Sequence, residues 1–132
     1  MNDLALFHTG VFASTADGPV LLGGRCRACG QVYHPRVAVC LNCTATDLDD
    51  IRLSRHGRLE CCTTVHMPTT TMAAPYTVGY VQLPEGLRIF APIGSEASTL
   101  AVGTPMTLAE FTIGRGAQRQ AAYCFVPTAG GA

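Results

Sequence analysis

Two Cys-x-x-Cys pairs, separated by ten residues, constrain this chain more than any other feature of its sequence. The pairs are formed by Cys26, Cys29, Cys40 and Cys43. Two thiolates three positions apart reach one ion when the chain turns back between them, and Gly30, after the first pair, accepts the positive φ of such a turn. Two facing turns give a closed tetrahedral shell of four sulfurs, with no position for substrate or water. The spacing therefore predicts a structural metal site.

Zinc is the ion that we expect in this shell, although the same four sulfurs also suit the iron of a rubredoxin-like site. Disulfides would suit a secreted chain, but the sequence opens without an apolar signal segment. A thioredoxin-like redox site uses one Cys-x-x-Cys pair in a βαβ context, which the sequence does not suggest. Structural zinc and free thiols together indicate a reducing cytoplasm.

Composition bounds the size of the core and the class of partner. The 132 residues, 48% of them hydrophobic, can bury one modest core beside a small metal-bound module. Nine basic residues, all arginine, balance nine acidic residues. Nucleic-acid binding usually needs an excess of positive charge, so this neutrality counts against it. No stretch is apolar for the roughly 18 residues that a membrane-spanning helix needs, so we expect no membrane span.

The sequence after the second cysteine pair has the period-two alternation of β-strands. Residues 58–67 alternate in this way, which predicts a strand whose buried face carries Leu59, Cys61 and Met67. Further strands are predicted at residues 76–83, 87–93, 106–113 and 121–126. Five short strands without a long helix favour closure, because a closed barrel has no unpaired edges. The predicted fold is therefore mainly β, with a five-stranded Greek-key barrel of the OB type after a metal-bound ribbon.

Three further cysteines lie in the predicted strands. Cys61 and Cys124 are expected to be small core residues, and Cys62 either a core residue or a half-exposed thiol. His66 shares a strand face with Cys62 but lies too far along an extended chain to act as its base. No paired carboxylates, phosphate-binding glycine loop or Ser-His-Asp arrangement stands out. The residues therefore favour a binding or scaffold module over an independent enzyme that uses Cys62 or Cys124.

Two segments outside the predicted strands are candidates for contact with a partner. Residues 1–22 are interpreted as a short helix or partly ordered arm, on which Phe7 and Phe12 dock either on the barrel or on a partner. Residues 67–75 are polar and bounded by prolines. This segment is either a binding loop or a plain surface connection.

A series of short motifs runs through the chain in a consistent order. The motifs are Arg25-Cys26-x-x-Cys29-Gly30, Tyr33-His34-Pro35-Arg36, Cys40-x-x-Cys43, Gly57, Pro75-Tyr76-Thr77-Val78, Leu83-Pro84-Glu85-Gly86, Val102-Gly103 and Phe125-x-Pro127. From Phe12 to Pro127, their order and spacing resemble those of the acyl-CoA-associated zinc-ribbon/OB-fold proteins. The resemblance implies an N-terminal helical arm, a rubredoxin-like zinc ribbon and an OB barrel. We assign these to residues 1–22, 23–48 and 49–127, with a flexible tail at 128–132.

The resemblance implies an accessory subunit rather than a catalyst. Such proteins are usually found with a thiolase-like partner that makes or breaks carbon–carbon bonds in acyl-CoA substrates or transfers acyl groups. The small subunit stabilises that partner and helps to form the acyl-CoA channel. Arg25, Arg27 and Arg36 are candidate contacts of CoA phosphates, with solvated arginines as the alternative. Candidate channel or interface residues are Phe7, Phe12, Pro75, Tyr76 and Phe90.

Two points stay open at the level of sequence. The second cysteine pair is followed by Thr44, where members of the family often have glycine, so the geometry of that turn is not fixed by the resemblance. The alternative function is an OB-fold module that binds single-stranded nucleic acid, which requires salt-dependent affinity for oligonucleotides.

Overall fold

The computed structural model describes residues 11–69, 71–114, 117 and 119–128. Within these ranges the chain forms nine β-strands, and a 3-10 turn lies at Ala97–Thr99. None of the helical structure described is long and apolar enough to cross a membrane. The strands are β1 (Phe12–Thr15), β2 (Gly18–Cys26), β3 (Val32–Tyr33), β4 (Leu48–Arg52), β5 (His56–Val65), β6 (Tyr76–Gln82), β7 (Arg88–Ile93), β8 (Pro105–Ile113) and β9 (Gln120–Pro127).

Strand β2 is the centre of the N-terminal sheet. Its first half pairs with β1, where Phe12 lies opposite Leu21. Its second half lies between β3 and β4, and Cys26 at its end faces Leu48 of β4. One continuous strand therefore joins the part of the sheet that packs on the barrel to the part that carries the first cysteine pair.

Strands β5 to β9 close into a barrel in the order β5-β6-β7-β9-β8, which confirms the predicted OB-type fold. Strands β7 and β9 run parallel, with Ile93 opposite Phe125, and the other neighbours run antiparallel. The observed bounds of the five strands differ from the predicted ones by at most two residues. Period-two alternation located these strands well because each has one face in the core.

The helix predicted within residues 1–22 is wrong where the structure describes that segment. Phe12–Thr15 and Gly18–Cys26 are paired strands joined by the two residues Ala16 and Asp17, and Gly18, at the start of β2, has a φ of 114°. Asp17-Gly18 lies where the two strands meet, and an Asp-Gly pair at such a position favours a hairpin over a helix. Phe12 is 1% exposed and belongs to the barrel core, so it docks on its own chain. Phe7, with the rest of residues 1–10, lies outside the described residues.

A β-bulge at Glu60 reverses the predicted facing of the rest of β5. Leu59 and Cys61, rather than Leu59 and Glu60, lie opposite successive residues of β6. Beyond the bulge Cys61 is exposed, whereas Cys62 packs against the core. Met67, after the end of β5, is 76% exposed. The prediction that Cys61 and Met67 share the buried face of Leu59 was therefore wrong, because the inserted residue moves Cys61 to the outer face and Met67 lies beyond the end of the strand.

Candidate metal centre

The four paired cysteines converge at the end of the ribbon. Their Sγ atoms all lie within 4.8 Å of one another. The distance is 3.5 Å from Cys26 Sγ to Cys43 Sγ and 3.6 Å from Cys29 Sγ to Cys40 Sγ. A tetrahedral zinc ion with Zn–S bonds of about 2.3 Å needs sulfur–sulfur distances of about 3.8 Å. The four side chains therefore fit one zinc ion, and Cys26 and Cys40 are the buried half of the shell.

The two turns that carry the ligands have the same backbone geometry. Gly30 follows the first pair with a φ of 81°, and its N–H donates to the Cys26 carbonyl at 2.9 Å. Thr44 follows the second pair with a φ of 65°, and its N–H donates to the Cys40 carbonyl at 2.8 Å. Positive φ costs a residue with a Cβ roughly 1–2 kcal/mol. Threonine in place of glycine therefore adds strain to the second turn but leaves its shape the same as that of the first.

Tyr33 connects the middle of the ribbon to the second turn, a role that the sequence analysis missed. Its hydroxyl oxygen accepts the backbone N–H of Leu41 at 2.9 Å and lies 3.3 Å from Cys40 Sγ. The phenolic hydrogen is thus free to point at the sulfur. This hydrogen bond is the largest contribution that lowers the pKa of Cys40, to about 6. The deprotonated thiol is the form that binds a metal. The only sequence signal was the Tyr33-His34-Pro35-Arg36 motif, which by itself gives no contact.

The other thiols show why a cation belongs at the centre of the shell. Hydrogen bonding from the Asn42 side chain lowers the pKa of Cys29. The Ala45 amide lowers the pKa of Cys43, but the adjacent Cys26 thiol and partial loss of hydration beside the other sulfurs raise it to about 12. Sulfurs this close resist becoming anions together unless a positive charge lies between them. The chemistry of the site therefore agrees with its geometry.

The arginines predicted to contact CoA phosphates lie beside the acidic strand β4. Arg27 Nε is 2.7 Å from Asp49 Oδ1, and Arg36 Nε is 2.6 Å from Asp50 Oδ1. Arg25 is exposed and lies opposite Asp49 in the β2–β4 ladder, but it makes no ion pair with the residues that the structure describes. Carboxylates thus already balance two of the three candidate arginines. The guanidinium of Arg25 is the most available for an added anion.

The predicted channel or interface residues separate into two places. Phe12 and Phe90 line one apolar cavity of about 280 Å³, although Phe12 is buried and Phe90 is 55% exposed. Pro75 is exposed and Tyr76 half-buried where β6 begins, and neither lines that cavity among the described residues. Phe7 is outside the described ranges. Of the described members of this group, the structure therefore brings Phe12 and Phe90 together and places Pro75 and Tyr76 elsewhere.

Two of the three thiols outside the metal centre, those of Cys62 and Cys124, have the environments of packing residues, whereas Cys61 is exposed. Cys124 is buried, as predicted, and burial raises its pKa to about 11. Cys62 is half-buried, in agreement with the prediction. In the described part of the chain, no hydrogen bond joins either sulfur to a histidine. A neutral thiol without a base is a poor nucleophile.

Comparison with known proteins assigns the family. The rubredoxin-like zinc ribbon domain of ChsH2 matches residues 16–49, and the C-terminal OB-fold domain of ChsH2 matches residues 50–112. The benzoylsuccinyl-CoA thiolase subunit BbsA of Geobacter metallireducens is 34% identical over 99 residues, which cover 74% of this chain and 67% of that subunit. The chain belongs to the ChsH2-type zinc-ribbon/OB-fold family. Its four cysteines are thus those of a zinc ribbon, as predicted.

Two further relatives of this ChsH2-type chain were found. The BbsA subunit of Thauera aromatica is 38% identical over 93 residues, which cover 69% of this chain and 65% of that subunit, just under two thirds of its length. A solved structure described as "Ltp2-ChsH2(DUF35) aldolase" superposes with a TM-score of 0.69 at 25% identity, covering 82% of this chain and 84% of that one. The ribbon followed by a barrel is therefore shared by sequence and by structure.

Proposed function

We propose that this chain is a non-catalytic accessory subunit of a thiolase-like complex that acts on acyl-CoA substrates. The observation that carries the proposal is its similarity to a protein named as a subunit of benzoylsuccinyl-CoA thiolase. The structural likeness to the Ltp2-ChsH2 aldolase supports it. Thiolases and aldolases both form or cleave carbon–carbon bonds. The complex is therefore proposed to carry out that chemistry, or acyl transfer, on an acyl-CoA in the cytoplasm.

The arrangement of cysteines supports an accessory role. Four thiols form a closed shell that leaves the metal no open position for a substrate. Cys124 is buried with a raised pKa, and the described contacts of Cys62 include no base. The partner is therefore proposed to supply the catalytic residues, while this chain stabilises it.

The ribbon is proposed to contribute to the acyl-CoA channel through its arginines. CoA carries phosphates that a guanidinium can bind through two parallel hydrogen bonds. Arg27 and Arg36 already contact carboxylates, so a phosphate would compete with an aspartate for them. Arg25 does not face that competition at contact distance and is expected to contribute most. Phe7, Pro75, Tyr76 and Phe90 stay candidates for the channel or interface, whereas the buried Phe12 contributes only to the wall of the cavity that Phe90 also lines.

Co-purification of the tagged chain from its native cells tests the proposal. Mass spectrometry should identify a thiolase-like protein in stoichiometric amount, and metal analysis of the same sample should find one zinc per chain. The tag alone, expressed in the same cells, is the control for non-specific capture. A zinc-loaded chain that brings no thiolase-like protein would contradict the accessory role and leave a free-standing binding module.

A further inference from the structure

An exposed apolar strip crosses the outer surface of the barrel on β5, β6 and β7. Tyr80 and Phe90 lie opposite each other with ring centroids 5.2 Å apart, and they are 42% and 55% exposed. Cys61 extends this row onto β5, opposite Tyr80. Val78 and Pro92, opposite each other, form the next row outward along the strands. We call these five residues the aromatic face.

Packing among the residues that the structure describes does not account for the aromatic face. The alternate positions of β6 and β7 fill the barrel, where Val81, Ile89 and Ala91 are at most 3% exposed. Tyr80 and Phe90 point away from that core and keep much of their surface in water. Two large aromatic side chains on adjacent outer positions form a contiguous apolar surface rather than scattered single residues.

The bulge in β5 removes a charge from this face. Without the inserted residue, Glu60 would lie opposite Tyr80, because Leu59 lies opposite the next residue of β6. The bulge places Cys61 there instead. The displaced Glu60 carboxylate meets Arg88 at the end of the face, with Oε1 2.9 Å from Nε. The centre of the face is thus uncharged, and its edge carries a neutralised ion pair.

This distribution of charge favours a protein over a nucleic acid as the occupant. Protein interfaces have an apolar, charge-depleted centre with aromatic residues and a polar rim. Single-stranded nucleic acids also stack on aromatic rings, but they need unpaired positive charge along the backbone. Here Arg88 is paired with Glu60, and Arg58 donates to the Gly103 carbonyl at 3.1 Å. Both of these arginines are therefore already engaged.

An apolar cavity adjoins the aromatic face and completes the surface. Phe90 and Pro92 belong to both, and the other walls of the cavity include Met72, Phe111 and Tyr123. Its volume is about 280 Å³. Binding energy concentrates where an anchor side chain fills such a desolvated pocket. The thiolase-like subunit of the proposed function is a partner that could supply such a side chain, and a second copy of this chain is an outcome that the test below separates from it.

We propose that the aromatic face and its adjoining cavity dock the thiolase-like catalytic subunit, which seats one large apolar side chain in the cavity. The inference rests on the proposed function and specifies its interface. The Tyr80–Phe90 pair forms the centre of the contact, and the Glu60–Arg88 pair lies at its rim. The rigid barrel holds these rings in place, which reduces the entropy lost on binding.

A charge placed at the centre of the face tests the proposal. Phe90→Glu is compared with Val102→Glu, which makes a similar change at a residue that is 78% exposed in the connection between β7 and β8, outside the face. Each variant is co-expressed with the thiolase-like subunit that co-purifies with the parent chain. Phe90→Glu should lower the recovered partner by about ten-fold or more, whereas Val102→Glu should recover parental amounts. Both should keep parental zinc content and melting temperature.

The other outcomes separate this inference from the function on which it rests. If Phe90→Glu fails to fold, Phe90→Thr is used instead. Threonine lacks the aromatic ring but is favoured in β-strands, and we expect the amount of recovered partner to fall by at least about three-fold. Equal recovery with a folded Phe90 variant and the parent would overturn the docking surface and leave the accessory role intact. A parent without any thiolase-like partner would overturn both. If the parent chain instead forms homodimers or oligonucleotide complexes, and Phe90→Glu disrupts them, the thiolase-like subunit is not the occupant of the aromatic face.

Discussion

The ribbon and the barrel are stabilised in different ways although they share a strand. The buried cluster of the ribbon consists of Cys26, Cys40 and Leu48, and two of these are metal ligands. The barrel core draws on every barrel strand and also takes in Phe12 and Leu21 from the N-terminal sheet. So small a cluster cannot offset the conformational entropy of the ribbon, whereas the barrel core can offset that of the barrel. The ribbon is therefore expected to depend on its metal, and the barrel is not.

Strand β2 sets the boundary between these two behaviours. Leu21 is fully buried in the barrel core, and Cys26 is five residues further on at the metal. Barrel-side contacts hold the nearby turn as well, since Arg55 donates to the Asp17 carbonyl at 2.6 Å. Unfolding that begins at the metal should thus spread back along β2 and stop near Leu21.

Loss of a ligand should have the largest effect and act on the ribbon alone. Cys40→Ser is expected to abolish stoichiometric zinc binding and to unfold the ribbon, because metal binding supplies its folding free energy. The matched control is Cys61→Ser, which changes an exposed cysteine outside the shell. Metal analysis gives the zinc content, and amide exchange shows which strands open. Equal zinc in the two variants would contradict the metal assignment, and exchange throughout β5 to β9 would contradict an independent barrel.

Loss of a core ring should act on the barrel instead. Phe125 is fully buried between β7 and β8, so Phe125→Ala should lower the free energy of unfolding by about 3–5 kcal/mol. Phe90→Ala makes the same change on the exposed outer face and should cost less than about 1 kcal/mol. Denaturant unfolding measures both, and the folded fraction of each should keep its zinc. Similar losses in the two variants would contradict the larger contribution of the buried ring to the stability of the barrel.

Removal of the Tyr33 hydroxyl should weaken the metal centre without affecting the barrel. Tyr33→Phe deletes the hydrogen bond to Cys40 and should lower zinc affinity by about ten-fold. The bond is the largest of several contributions that lower the pKa of Cys40 to about 6, so its loss raises that pKa, and protons should then displace zinc at a higher pH. Tyr80→Phe removes a hydroxyl from the barrel surface and is the control.

A chelating dye titrated at several pH values measures both quantities for Tyr33→Phe. Zinc release that shifts upward in pH for Tyr33→Phe and stays in place for Tyr80→Phe is the expected result. Parental affinity and parental pH dependence in Tyr33→Phe would remove Tyr33 from the metal centre.

The features that the sequence predicted correctly depend on short-range regularity. Fixed ligand spacing identified the metal shell, and alternation located the five barrel strands, because a strand with one buried face repeats every two residues. The failures arose where one residue altered the regularity. Glu60 shifts the facing of β5, and Gly18 allows the hairpin that replaces the predicted helix. An inserted residue and a turn each look like ordinary sequence until the pairing of the strands is known.

Contacts between distant segments could not be predicted for a different reason. Tyr33 reaches Cys40 only because β3 places it beside the second turn, and Arg27 and Arg36 meet aspartates only because β4 pairs with β2. Neither contact has a local signature. The aromatic face is similar, since the row of Tyr80 and Phe90 exists only in the register of β6 and β7.

The smallest predicted effect concerns Thr44. Its positive φ should make the ribbon less stable than it would be with glycine at this position. Thr44→Gly relieves that strain and should stabilise the metal-bound ribbon by about 1 kcal/mol, which appears as roughly five-fold slower zinc transfer to a chelator. Thr112→Gly, at an exposed position of β8 with ordinary backbone angles, should instead destabilise the barrel by up to about 1 kcal/mol. Opposite signs at the two positions would show that glycine acts through local φ. Faster zinc transfer from Thr44→Gly would show that threonine is the better residue in this turn.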